Sequence, residues 1–165
     1  MSTLNDYTQE QVEKLMAAPM LVSMYVMGSS LSGPIGLVKE MMAGVETAIE
    51  AGKTAAPNSL FNELWSEENL KLQQEKMQQE TKESTEGAQN MDEAKAKMLD
   101  DIKNAVGIVS AKGSPEEIAA YKKLMTDVAQ NVANAAKEGG LFGIGGEVVN
   151  NAERNALNDI QSAVA

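Results

Sequence analysis

The chain contains neither cysteine nor histidine. The lack of cysteine excludes disulfides and thiolate chemistry, and the lack of histidine excludes the usual catalytic triads and histidine ligation of zinc or haem. No Ser-x-x-Lys nucleophile pattern occurs, and no carboxylate pair has a spacing that is diagnostic of catalysis. We therefore predict a protein that is not an enzyme and has no organic cofactor.

Basic clusters and long apolar runs are also missing. The formal net charge is −10, which disfavours contact with nucleic-acid phosphates and anionic membranes. The most apolar run, residues 20–27, is too short to span a bilayer, and residues 1–6 carry no basic signal-peptide region. We predict a cytoplasmic protein without a membrane span or a nucleic-acid partner, which acts through a protein partner or a homo-oligomer.

Helical periodicity accounts for most of the remaining sequence. Apolar residues recur every three or four positions, and no segment alternates with period two. This pattern predicts an all-α bundle of about six helices in a single domain, residues 1–165, that ends in a helix, a glycine-rich loop and a helix. The core is expected from residues 20–27, 35–49, 98–109 and 118–135, and the polar segment near 71–90 is expected to be a mobile surface.

Local signals place several helix boundaries. Capping boxes or capping pairs are predicted at Thr8, Asn90 and Ser114. Pro19 is expected to break or restart the first helix, because proline has no backbone N–H.

Four methionines form a stripe along the first predicted helix, because their spacing places them on one face of it. The stripe fits a core, although thioethers also bind soft metals such as Cu(I) or line an adaptable groove for a partner. Glu40 is expected on the exposed face of the second helix. The stripe comprises Met16, Met20, Met24 and Met27, and the expected apolar set of the second helix comprises Ile35, Leu37, Val38, Met41, Met42, Val45, Ala48 and Ile49.

A glycine-rich loop separates the last two helical patterns. It fits a connector whose Phe142 and Ile144 plug the end of the bundle, or else a hinge or an anion-binding loop. A dinucleotide-binding fingerprint is excluded, because the glycine spacing differs and the loop follows a helix. The candidate interaction loop is Gly139, Gly140, Leu141, Phe142, Gly143, Ile144, Gly145 and Gly146.

Segments 18–22, 32–40 and 135–140, with Gly145-Gly146-Glu147, resemble a group of small bacterial all-helical proteins of unknown function. The helix–turn–helix from Ala135 to Ile160 is distantly similar to the TerB-type (tellurite-resistance) module, in which an Ala-Asp-Gly turn precedes a helix with an early glutamate. Glu153 matches that glutamate, whereas the Ala-Asp-Gly turn has no counterpart. The resemblance implies a metal-linked stress response and binding of a divalent cation.

A hard cation such as Ca²⁺ or Mg²⁺ would need oxygen ligands. Glu138, Glu147 and Glu153 flank the glycine-rich loop and are the candidate metal ligands. Glu138 and Glu153 also fit purely structural roles, at a helix end and in a capping box. Two functions remain open: a non-enzymatic interaction or structural protein, and a TerB-like module that binds a divalent cation or a small ligand.

Overall fold

The computed structural model describes residues 2–29, 34–86, 90–138 and 151–165. These ranges are helical and contain no strand, which confirms the all-α prediction. After a 3-10 turn at Leu4–Asp6 they form seven α-helices, where about six were predicted. The helices are α1 (Gln9–Met27), α2 (Pro34–Thr54), α3 (Leu60–Leu64), α4 (Glu67–Thr85), α5 (Met91–Lys112), α6 (Pro115–Glu138) and α7 (Asn151–Val164).

Side-chain caps start three helices where the sequence predicts them. The Thr8 hydroxyl accepts the N–H of Gln11, and the Gln11 side chain accepts the N–H of Thr8 in return. Ser114 and Glu117 form the same reciprocal pair before α6, and the Asn90 side chain accepts a backbone N–H at the start of α5. Each cap satisfies N–H groups that a helix cannot pair internally.

Helix α1 runs unbroken through Pro19, so the predicted break is wrong. Proline cannot donate to the carbonyl of Leu15 four residues earlier. The hydroxyl of the fully buried Tyr121 donates to that carbonyl instead, at 2.8 Å. The Ser23 hydroxyl donates to the Pro19 carbonyl at 2.9 Å. The helix therefore keeps its direction because a distant side chain supplies the missing donor.

The core surrounds α1, which contacts α2, α4, α5, α6 and α7. The apolar stripes predicted for α5 and α6 face it, which confirms these two segments as core. Among the completely buried side chains are Leu15, Met16, Val22, Val26, Ile102, Val109, Tyr121, Met125, Val128, Val132 and Ile160.

Small residues form the side of α2 that faces the bundle. Gly44, Ala48 and Gly52 are buried at four-residue intervals. A Cβ atom at Gly44 would clash with the hydroxyl of Ser23 on α1, and one at Gly52 would clash with the Cβ of Trp65. The absence of side chains at these positions lets α2 approach its neighbours closely.

Two expectations for α2 are therefore wrong. Met41, Met42 and Val45 were expected in the core, but they are 42%, 55% and 43% exposed. Glu40 was expected on an exposed face, but it is fully buried. The side chains of residues 35–38 lie outside the described residues. Over residues 40–52 the helix is turned so that its small residues, rather than Met41, Met42 and Val45, meet the core.

The polar segment near 71–90 continues α4 as far as Thr85. Gln73 and Thr81 are buried, and they contact α1 through hydrogen bonds with Gln9 and with the sulfur of Met20. Its mobility stays a prediction, as does the single-domain boundary of residues 1–165.

We expect Val128→Asp to destabilise the protein by at least about 4 kcal/mol, because it buries an unpaired charge among apolar side chains. Val128 is fully buried, whereas Ala119 on the same helix is exposed. Ala119→Asp is the matched control and should cost less than about 1 kcal/mol. Chemical denaturation of both variants measures the difference, and equal costs would contradict the assigned core face of α6.

Candidate functional site

The predicted interaction loop, Gly139 to Gly146, lies outside the described residues, and so does Glu147. The side chain of Glu138 also lies outside them. Glu153 is described and is buried on α7. The predicted grouping of these glutamates therefore stays a prediction.

The described ranges contain no group of three acidic residues placed to hold a metal ion. They do present two surface features that are shaped for contact. One is an apolar face formed by α1 and α2, and the other is a polar cleft between α2 and α6.

The methionine face is defined here as Met24 and Met27 on α1 with Met41, Met42 and Val45 on α2. The α1 residues are half-buried, and the α2 residues are about half exposed. Single exposed apolar residues are common on protein surfaces, whereas a contiguous set marks an interaction surface. Met24, Met27, Met41 and Val45 line one common pocket, so these four residues are contiguous across the two helices.

This pocket is small, with a volume of about 40 Å³. Met16, Pro19 and Trp65 line it, and Met16 is fully buried. The predicted methionine stripe thus divides into a core residue and residues that reach the surface. The Trp65 indole N–H is buried and has no acceptor within the described part of the chain. A cavity of this size holds a group of about the size of a water molecule.

The α2–α6 cleft is much larger, at about 920 Å³. Every third or fourth residue of each helix contributes to it, so one face of α2 meets one face of α6. Glu50 and Thr54 line it from α2, and Glu116, Lys123 and Asp127 line it from α6. The charges are mostly negative, and its size is in the range of small-molecule sites, roughly 300–1,000 Å³.

Hydrogen bonds hold both ends of the cleft. At one end the Asn131 amide donates to the Thr47 hydroxyl at 2.9 Å and joins α6 to α2. At the other end the N–H of Ser2 donates to the buried Glu117 carboxylate at 2.8 Å, while the Ser2 carbonyl accepts the N–H of Leu60. The second oxygen of Glu117 accepts the Ser114 N–H at 2.8 Å. Glu117 therefore serves the structure of the cleft wall.

One carboxylate on the rim has a perturbed pKa. The Ser114 hydroxyl donates to Glu116 at 2.8 Å, and this hydrogen bond is the main cause that lowers the pKa of Glu116 below its ordinary value. Asp127 forms an ion pair with Lys123 at 2.5 Å. Glu116 therefore carries its negative charge at neutral pH.

The methionine stripe of α1 was one candidate for a partner groove, but the α2 part of the methionine face and the α2–α6 cleft were not predicted from the sequence. Met41, Met42 and Val45 were expected in the core because they are large and apolar. The i, i+4 spacing of Gly44, Ala48 and Gly52 was the available signal that α2 packs through a different side. No comparable signal marks the cleft, because its charged residues have the ordinary pattern of exposed helix faces.

No family model matches the sequence, and neither a curated protein nor a solved structure gives a significant match. None of the helices in the described ranges is long and apolar enough to cross a membrane.

We expect Gly44→Ala to destabilise the protein by about 1–3 kcal/mol, because the new methyl group overpacks the contact with Ser23. Gly107 is the matched control, because a Cβ atom there meets nothing within 4 Å. Gly107→Ala should stabilise the exposed side of helix α5 by about 0.5–1 kcal/mol. Thermal and chemical denaturation compare the two, and a stabilising Gly44→Ala would contradict the close approach of α1 and α2.

Proposed function

We propose that the protein is a non-enzymatic interaction module that binds an apolar segment of another protein chain through the methionine face. The observation that carries this proposal is the exposure of three large apolar side chains, Met41, Met42 and Val45, along one side of α2. They adjoin half-buried methionines of α1, so an occupant would contact both helices.

The chemistry of the face favours a helical occupant. The exposed side chains of α2 and the half-buried methionines of α1 together present an apolar surface that can pack against the apolar side of an amphipathic helix. Methionine side chains are flexible and polarisable, and they adapt to differently shaped apolar partners. Six of the 11 methionines lie between residues 16 and 42, so this property is concentrated in α1 and α2.

The packing of α2 explains why Met41, Met42 and Val45 are not buried in the core. Gly44 and Ala48 supply the contact with the rest of the bundle. Met41 and Val45 line the same pocket as Gly44 and Ala48, at the edge of the buried side of α2, and remain 42% and 43% exposed within the described structure. Burying each of them in an interface would contribute about 1.5–3 kcal/mol when the burial is complete.

The TerB-like role in binding a divalent cation stays a prediction, as does a cytoplasmic location. The candidate ligands Glu138 and Glu147 would have to be tested directly, by a melt with added Mg²⁺ or Ca²⁺. The second part of the TerB-like alternative is the binding of a small ligand, and the α2–α6 cleft supports it.

A photo-crosslinking residue at position 42 tests the interaction proposal in cells. We expect a discrete crosslinked species there and none at position 72, because Leu72 on α4 is also an exposed large apolar residue but is not part of the methionine face. A species of twice the monomer mass would identify a second copy, and another mass a different partner. Crosslinks of equal yield at both positions, or none at position 42, would overturn the proposal.

Glutamate substitutions test the same proposal through the loss of partner binding. Met42→Glu should reduce the captured species at least about tenfold, while Leu72→Glu, which adds the same charge, leaves it unchanged. Both positions are exposed, so each variant should stay within about 0.5 kcal/mol of the parent stability. A comparable loss in both variants would attribute the effect to charge and not to the methionine face.

A further inference from the structure

We infer that the α2–α6 cleft is a binding site for a linear aliphatic polyamine, with an ammonium group at each end of the cleft and methylenes between them. This site is separate from the methionine face, since the two have no lining residue in common among the described residues. The inference therefore does not depend on the proposed protein–protein interaction.

The placement of the carboxylates favours an extended cation. The two helices run antiparallel along the cleft. Thr47 on α2 pairs with Asn131 on α6, and from this pair the cleft follows α2 forwards to Thr54 and α6 backwards towards Ser114. Glu50 therefore lies level with Asp127 near one end. Glu116 lies eleven residues from Asp127, or about 16 Å along the helix at roughly 1.5 Å per residue.

This separation disfavours a compact metal ion. A divalent cation needs several oxygen ligands within about 2.6 Å of one point. The described residues contain no group of three acidic side chains close enough to provide them. Two negative regions separated by the length of the cleft match a molecule that carries positive charge at both ends.

The middle of the cleft is suited to methylene groups. Ala51, Ala56 and Ala120 line it with small apolar side chains, and the largely buried Phe61 and Leu124 also contribute to its lining. An aliphatic chain that lies on these side chains would remove apolar surface from water. Thr54 also lines the cleft, and its hydroxyl, which donates to the Glu50 carbonyl at 2.8 Å, can still accept a hydrogen bond from a secondary ammonium.

Lys123 is the one cation among the described residues that line the cleft. It pairs with Asp127 at 2.5 Å, but its side chain is 72% exposed and can turn into solvent. An incoming ammonium group would take its place beside Asp127. Lys123 therefore competes with the ligand, and its removal should strengthen binding.

Isothermal titration calorimetry of the full chain with spermine at low ionic strength tests the inference. We expect saturable binding of one spermine, and weaker binding of the shorter diamine putrescine, which cannot reach both ends. The double variant Glu50→Gln/Asp127→Asn should weaken binding about tenfold, the product of about threefold for each of two exposed ion pairs. Glu116→Gln should weaken it about threefold.

Two further variants distinguish a specific site in the cleft from nonspecific attraction of spermine to an acidic protein. Lys123→Gln should raise the affinity about threefold, because it removes the competing charge. Asp100→Asn removes one negative charge at an exposed position on α5, outside the cleft, and should change the affinity less than about twofold. Thermal melts confirm that each variant is folded.

Four results would overturn the inference: no saturable binding, equal affinity for putrescine and spermine, an Asp100→Asn effect as large as that of Glu116→Gln, or weaker binding by Lys123→Gln. Met42→Glu should leave spermine binding unchanged. Failure of the polyamine inference can therefore be distinguished from failure of the proposed protein–protein interaction.

Discussion

The hydrogen bond from Tyr121 to the carbonyl of Leu15 allows the central helix to pass through Pro19 without a break. An unpaired buried carbonyl would cost about 1–3 kcal/mol, and proline removes the donor that would normally pair it. Since α1 contacts five of the other helices, its direction fixes where each of them packs. The fold thus depends on a donor that lies 106 residues away in the sequence.

Close packing between α1 and α2 is the second constraint, and it connects the fold to both surfaces. Gly44 brings α2 against Ser23, and Gly52 brings it against Trp65. With this packing Met41 and Val45 lie at the edge of the buried side, 42% and 43% exposed, where they form part of the methionine face. It also directs Glu50 towards α6, where it lines the cleft. One orientation of a single helix therefore produces an apolar surface on one side and an acidic one on another.

Sequence reasoning succeeded where the determining interactions are local. The capping pairs at Thr8, Asn90 and Ser114 involve residues three positions apart, and the stripes of α5 and α6 are strongly periodic. It failed for Pro19 because the compensating hydroxyl belongs to a helix much later in the chain. It failed for α2 because the packing side of a helix is decided by the shape of its neighbours as well as by its own hydrophobicity. The cleft was missed because its charges converge only when two distant helices pack together.

The most direct measurement of this dependence is a double-mutant cycle between Pro19→Ala and Tyr121→Phe, followed by chemical denaturation. With Pro19 present, Tyr121→Phe leaves the Leu15 carbonyl unpaired and should cost about 1–3 kcal/mol. In the Pro19→Ala background, the restored backbone N–H pairs with that carbonyl, and the cost of Tyr121→Phe should fall by at least about half. Equal costs in both backgrounds would contradict the role assigned to Tyr121.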